Sequence, residues 1–93
     1  MKNFLINKLY FNIIYIDADH QYISVKNELE LADKLLIFGG YIIVNDYTYY
    51  DHAIKLRYGV IQAVNEFCIE KNYKFILYAL EGAGFNDVAI QKI

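Results

Sequence analysis

Two short apolar runs, "YFNIIYID" at 10–17 and "GYIIVNDY" at 40–47, both stop on acidic or amide side chains. Runs this short, rich in β-branched and aromatic residues, read as strands buried on both faces, the habit of parallel sheets. Between them the period changes. Within 22–36, Val25, Leu29, Ala32 and Leu36 recur at helical spacing, while the charged residues Lys26, Glu28, Glu30, Asp33 and Lys34 fall between them. Strand, amphipathic helix, strand predicts a right-handed crossover and two parallel strands. Ser24 reads as the helix cap, with Asn27 three residues on completing half of a capping box. Gly39 and Gly40 read as the left-handed stop at the other end.

The rest of the chain repeats the alternation. The segment 53–72 predicts a second amphipathic helix, with Val60, Val64 and Phe67, flanked by Ile61 and Cys68, as its apolar stripe and Glu66 and Glu70 opposite. Strands are predicted at 74–80 and 87–93, joined through "EGAGFN" as a hairpin, so the last strand runs antiparallel to its neighbour. The G-x-G of "EGAGF" is the opening of a phosphate-binding fingerprint, but that motif needs a helix behind it. A strand pattern follows instead, so the segment reads as a turn. The reading is α/β, a single domain over 1–93, with parallel strands, crossover helices and a C-terminal antiparallel hairpin.

Acids and bases are interspersed and the formal net charge is −2, which gives no basic footprint for nucleic acid. No apolar run is long enough for a bilayer, and "MKNFLINKLY" lacks the pattern of a secretory leader, so a soluble cytoplasmic protein is expected. Cys68 is the sole cysteine, which rules out an internal disulfide and a zinc site built on several thiolates. Its place in the second apolar stripe reads as a buried thiol. A composition 57% hydrophobic and 17% aromatic is rich for 93 residues. Small chains bury a modest share of their surface, so a homo-oligomer is expected.

In open α/β sheets, ligands sit beyond the carboxyl ends of the strands. Asp17, Asp19 and His20 follow the first strand, and Asn45 and Asp46 follow the second. Adjacent strands would bring both groups to one cleft. Asp17, Asn45 and Asp46 form a three-oxygen set suited to a hard cation such as Mg²⁺. Alternatively, a carboxylate or His20 serves as general base on a substrate hydroxyl. The same residue types also recur where strands turn into loops, because their side chains bond local backbone groups. Downstream, Tyr47, Tyr49, Tyr50, Asp51 and His52 offer an aromatic pocket or an aromatic packing surface.

The stretch "IIYIDADHQYISVKNELELADKLLIFGGYIIVNDY" resembles the central part of class I S-adenosylmethionine-dependent methyltransferases. Its pattern is similar to that of O-methyltransferase-like families, "IDxDHxYxxVxxDLxxxxxxLxxGGxIxxxDY". The agreement includes Ile16, Asp17, Asp19, His20, Tyr22, Val25, Leu29, Leu36, Gly39, Gly40, Ile42, Asp46 and Tyr47, and Glu28 departs from the usual Asp. "AIKLRYGVIQAVNEF" resembles the following helix, and the likeness covers 10–93.

The resemblance implies a partial Rossmann-like sheet made of the fourth to seventh strands of an order 3-2-1-4-5-7-6, the seventh antiparallel. It implies O-methyl transfer from S-adenosylmethionine to a small-molecule acceptor. Asp17 and Asp46 would be catalytic, Asp17 and His20 would face the cofactor, Asp17, Asn45 and Asp46 would hold Mg²⁺, and Tyr47 would line the substrate. The family's first three strands, its Gly-rich loop and the acidic residue for the cofactor ribose have no counterpart here. A truncated methyltransferase-like domain, inactive alone, is therefore expected. Its first strand would have an open edge, covered by residues 1–9 or by a second copy about a two-fold axis. The alternatives are a non-catalytic oligomeric remnant or interaction module, and a small divalent-metal-binding protein.

Overall fold

The computed structural model describes residues 11–17, 19–48, 50–51, 56–80 and 86–93. The expected cover from residues 1–9, the "EGAGF" turn, Tyr49 and His52 lie outside them. Strand β1 (Phe11–Ile16) leads into helix α1 (Tyr22–Leu35) and strand β2 (Leu36–Val44). A two-residue pair, β3 (Tyr50–Asp51) and β4 (Leu56–Arg57), precedes helix α2 (Val60–Lys71) and strands β5 (Tyr73–Leu80) and β6 (Asn86–Lys92).

The main sheet runs β1-β2-β6-β5. β1 and β2 are parallel neighbours, with Ile16 opposite Val44, and β6 lies antiparallel between β2 and β5. This is the order 4-5-7-6 that the resemblance implies, with the mixed α/β architecture expected. Among the described residues, however, the helices cover one face only. Rows in register such as Ile14, Ile42 and Ile90 face the helices. Ile42 and Ile90 are fully buried with Leu29 of α1 and Phe67 of α2. One residue along each strand, side chains point the other way. There Tyr15, Ile43, Ala89 and Leu77 form a row, and Ile13, Tyr15 and Leu77 are 59%, 53% and 63% exposed. β1 is thus not buried on both faces as its apolar run predicts. Among the described residues it is an edge strand, and an apolar groove of about 370 Å³ lies between it and Leu31 and Leu35 of α1.

Both helix boundaries differ from the predicted ones. α1 ends before the two glycines: Leu36 is already extended (φ −94°, ψ 135°) and pairs with Phe11. The end needs no glycine because Lys92 reaches across from β6 and donates to the carbonyls of Asp33 and Leu36 at 2.9 and 3.0 Å. Gly39 does take a positive φ (82°), but within β2, where the pairing with β1 slips between Phe11 and Ile13. A Cβ on Gly40 would lie 2.9 Å from the carbonyl oxygen of Asn12. At the amino end, Ser24 is not the cap. Asp19 accepts from the Gln21 N–H and the Ser24 hydroxyl, both at 3.0 Å. α2 starts at Val60 rather than near 53, because Leu56–Arg57 pairs with Tyr50–Asp51 instead of coiling. It closes on Asn72 in the left-handed conformation, whose N–H donates to the Cys68 carbonyl. The expected apolar stripes of both helices are buried except for Ile61, which is half-buried, and burial pushes the Cys68 thiol up to about 11. Among the described residues no helix is long and apolar enough to cross a membrane.

Candidate functional site at the carboxyl rim

Parallel pairing brings the ends of β1 and β2 together, and the Asn45 N–H donates to the Ile16 carbonyl at 2.9 Å. Asp17, Asn45 and Asp46 therefore share one rim, as the sequence predicts for adjacent strands. β6 adds a group that the sequence reading missed. Because it runs antiparallel, its amino end meets the carboxyl ends of β1 and β2, and Asp87 joins the rim. Its Oδ1 accepts from the Asn45 Nδ2 at 2.9 Å and from the Asp46 N–H at 3.3 Å. An acid at the start of a final antiparallel strand was the available signal.

The rim has two sides. Alternation along the strands carries Tyr15, Asn45 and Asp87 toward the open face. Partial loss of solvent, with the carboxylates of Asp87, Asp17 and Asp46 nearby, raises the Tyr15 phenol above its ordinary pKa, and the Asn45 side chain opposes this. No hydrogen bond or ion pair engages the Asp17 carboxylate among the described residues. Asp46 belongs to the other side. It adopts φ 57°, a left-handed turn uncommon outside glycine, and its Oδ2 lies 2.8 Å from the His20 Nε2. His20 is held from two further directions. Its ring stacks on Tyr58 at 3.8 Å and 11°, and its carbonyl accepts from the Gly59 N–H at 2.7 Å. That approach depends on Gly59, where a Cβ would fall 2.4 Å from the Tyr22 nitrogen.

A carboxylate only accepts, so it takes the hydrogen on His20 Nε2 and leaves Nδ1 as the basic atom of the neutral ring. The His20 side chain is 34% exposed, within reach of a ligand. Tyr47, expected against a substrate, turns into the packing: its hydroxyl donates to Asn65 at 2.7 Å, and its ring meets Phe75 and Tyr78 edge-on. Asp19 is occupied at the head of α1.

Of the implied Mg²⁺ set, Asp46 is bonded to His20, whereas Asn45 gives its nitrogen to Asp87 and turns its oxygen, the atom a cation would take, away from it. Among the described residues no group of three His, Cys, Asp or Glu is placed to hold a metal. Gly39 and Gly40 lie inside β2, and Gly59 is filled by Tyr22, so none of these opens a backbone cradle onto a helix.

No protein-family model matches the chain, and no curated protein matches it. Among solved structures it is similar to the O-methyltransferase from Bacillus cereus, crystallised in complex with SAH, at 21% identity and a TM-score of 0.60. That match covers 98% of this chain and 45% of the other. It is also similar to a putative O-methyltransferase from Klebsiella pneumoniae, at 17% identity and a TM-score of 0.60, over 90% of this chain and 41% of that one. At these identities the likeness is one of fold, and the chain spans less than half the length of the structures it matches.

Proposed function

We propose that this chain is the acceptor-side half of an O-methyltransferase-like fold, in which His20, oriented by Asp46, is the general base for a hydroxyl on a small molecule. The observation that carries the reading is the 2.8 Å contact between Asp46 Oδ2 and His20 Nε2 on the shared rim. Asp46 holds the tautomer, Tyr58 holds the plane of the ring, and Nδ1 accepts the proton of the bound hydroxyl. Asp17 and Tyr15 offer further polar groups to position the acceptor. S-adenosylmethionine, held by the portion of the fold that the longer neighbours possess, would supply the methyl group as the O–C bond forms and the S–C bond breaks. The chain alone is then inactive.

The test is methyl transfer from S-adenosylmethionine to a panel of small hydroxyl acceptors, with the chain alone and with amino-terminal halves of O-methyltransferases of this fold. Transfer in a supplemented sample that disappears with His20→Ala supports the reading. Transfer that survives His20→Ala removes His20 from the chemistry. Absence of S-adenosylhomocysteine binding in every combination, by calorimetry, overturns the methyltransferase reading.

A second reading, a self-associating module without catalysis, is favoured by the edge of β1, which carries no charge and, among the described residues, has no strand partner. Edge strands of monomers usually carry charge, proline or a covering element. Sedimentation of the wild type and of Ile13→Lys decides it: a dimer that Ile13→Lys dissociates supports self-association, and a monomer in both removes it.

A further inference from the structure

We infer that Asp87 is the positioning residue that builds the turn presenting Asp46 to His20. The inference rests on the reading of His20 as the base. One oxygen of Asp87, Oδ1, accepts both the Asn45 amide and the Asp46 N–H. These are the last two residues before the chain leaves the rim. Asp46 is left-handed there, at φ 57°, a conformation that an Asp side chain does not by itself enforce. Below it, the Asp46 carbonyl accepts from the Thr48 N–H at 2.7 Å and tightens the same turn. The turn sends the backbone N–H of Asp46 toward Asp87 and its carboxylate toward His20, so one residue joins the open-face and helix-side halves of the rim.

The chemistry of the pair also fixes the amide. An ionised carboxylate has no hydrogen to donate, so Asn45 presents its nitrogen to Asp87 and turns its oxygen away as a free acceptor. Hydrogen bonds to ionised acceptors are stronger than neutral ones, and groups that orient a working residue govern its geometry without touching the reacting atoms. Asp87 therefore acts on the tautomer of His20 through Asp46, at one remove from the substrate.

Nuclear magnetic resonance of the intact chain tests this without any cofactor. Long-range ¹H–¹⁵N spectra of neutral His20 report its tautomer, and hydrogen exchange reports the Asp46 N–H. The wild type is expected to show a single Nε2–H tautomer and a protected Asp46 amide. Asp87→Ala should give mixed tautomers and speed that exchange by about tenfold, the loss of one hydrogen bond. Asp87→Asn, whose amide oxygen still accepts, should restore both. If Asp46→Ala mixes the tautomers and a folded Asp87→Ala does not, the inference is overturned while the base reading stands. Mixed tautomers in the wild type overturn the base reading itself. Should Asp87→Ala fail to fold, the wild-type exchange decides, since an Asp46 amide as fast as an exposed one removes the bond to Asp87.

Discussion

The two faces of the sheet come from the same strands and meet opposite surroundings. On the helix side Ile42, Ile90 and Phe67 are fully buried, whereas on the other side Ile13 and Leu77 stay more than half exposed. Hydrophobic stabilisation follows area removed from water, so the described fold derives its cohesion from one face. The site straddles the boundary, with Asp46 and His20 at the helix-side edge and Asn45 and Asp87 toward the open face. Its groups are held by hydrogen bonds and by the left-handed turn rather than by a packed core on both sides.

The largest contrast between the faces is read by truncation. Phe67→Ala should cost about 3–5 kcal/mol in urea denaturation, from lost burial and the cavity left behind, whereas Leu77→Ala should stay within about 0.5 kcal/mol. Equal losses would mean that the open face is covered in solution. Gly59→Ala comes next. Its conformation (φ −91°) suits any residue, so the cost is steric, from a Cβ 2.4 Å from the Tyr22 nitrogen. A loss of about 1–3 kcal/mol is expected, with a shift of the Tyr58 ring resonances as His20 moves.

Cys68 sharpens the comparison from within the covered face. Its thiol ionises near 9 when unfolded and near 11 when folded. Stability contributed by the neutral thiol should therefore fall as pH rises from 9 to 11, and alkylation below pH 9 should follow the unfolding rate. Rapid alkylation of the folded chain would show that the core is open there. The smallest effect is expected on the outer surface of the helix pair. There Glu66 accepts from the Tyr22 hydroxyl, from Gln62 and from Lys26. Those bonds, Tyr22 first, lower its carboxyl below 4.5, so its contribution is present above the ordinary carboxylate range and lost as pH falls through the folded value. Glu66→Gln should flatten the acid limb of stability slightly, and an unchanged limb would remove that role.

Strand and helix order was legible because period and residue type report burial directly. The 10–17 and 40–47 runs and the stripe Val25, Leu29, Ala32 mark strand, helix, strand, and the acidic strand ends follow from parallel pairing. Where elements stop was less legible. Gly39 and Gly40 look like a helix end, yet the end comes at Leu35, held by Lys92, 57 residues further along the chain. Residues 53–59 look helical, yet Leu56–Arg57 pairs with Tyr50–Asp51. In both places the competing partner is distant in sequence, and local propensity is a weak prior against it. The site divides in the same way. Asp17, Asn45, Asp46 and His20 could be named from their places after strands, but not which of them bond one another.

By itself the chain's pattern determined an α/β order, parallel first strands, two helices of known apolar stripe, and acidic groups on one rim. Tertiary structure alone decided that Asp87, at the start of β6, bonds into that rim, that Asp46 turns left-handed toward His20, and that Gly59 seats α2 beneath Tyr22. The reason is range. Periodicity records how each residue meets water, whereas a hydrogen bond between residues 26 or 41 positions apart exists only once the sheet has closed.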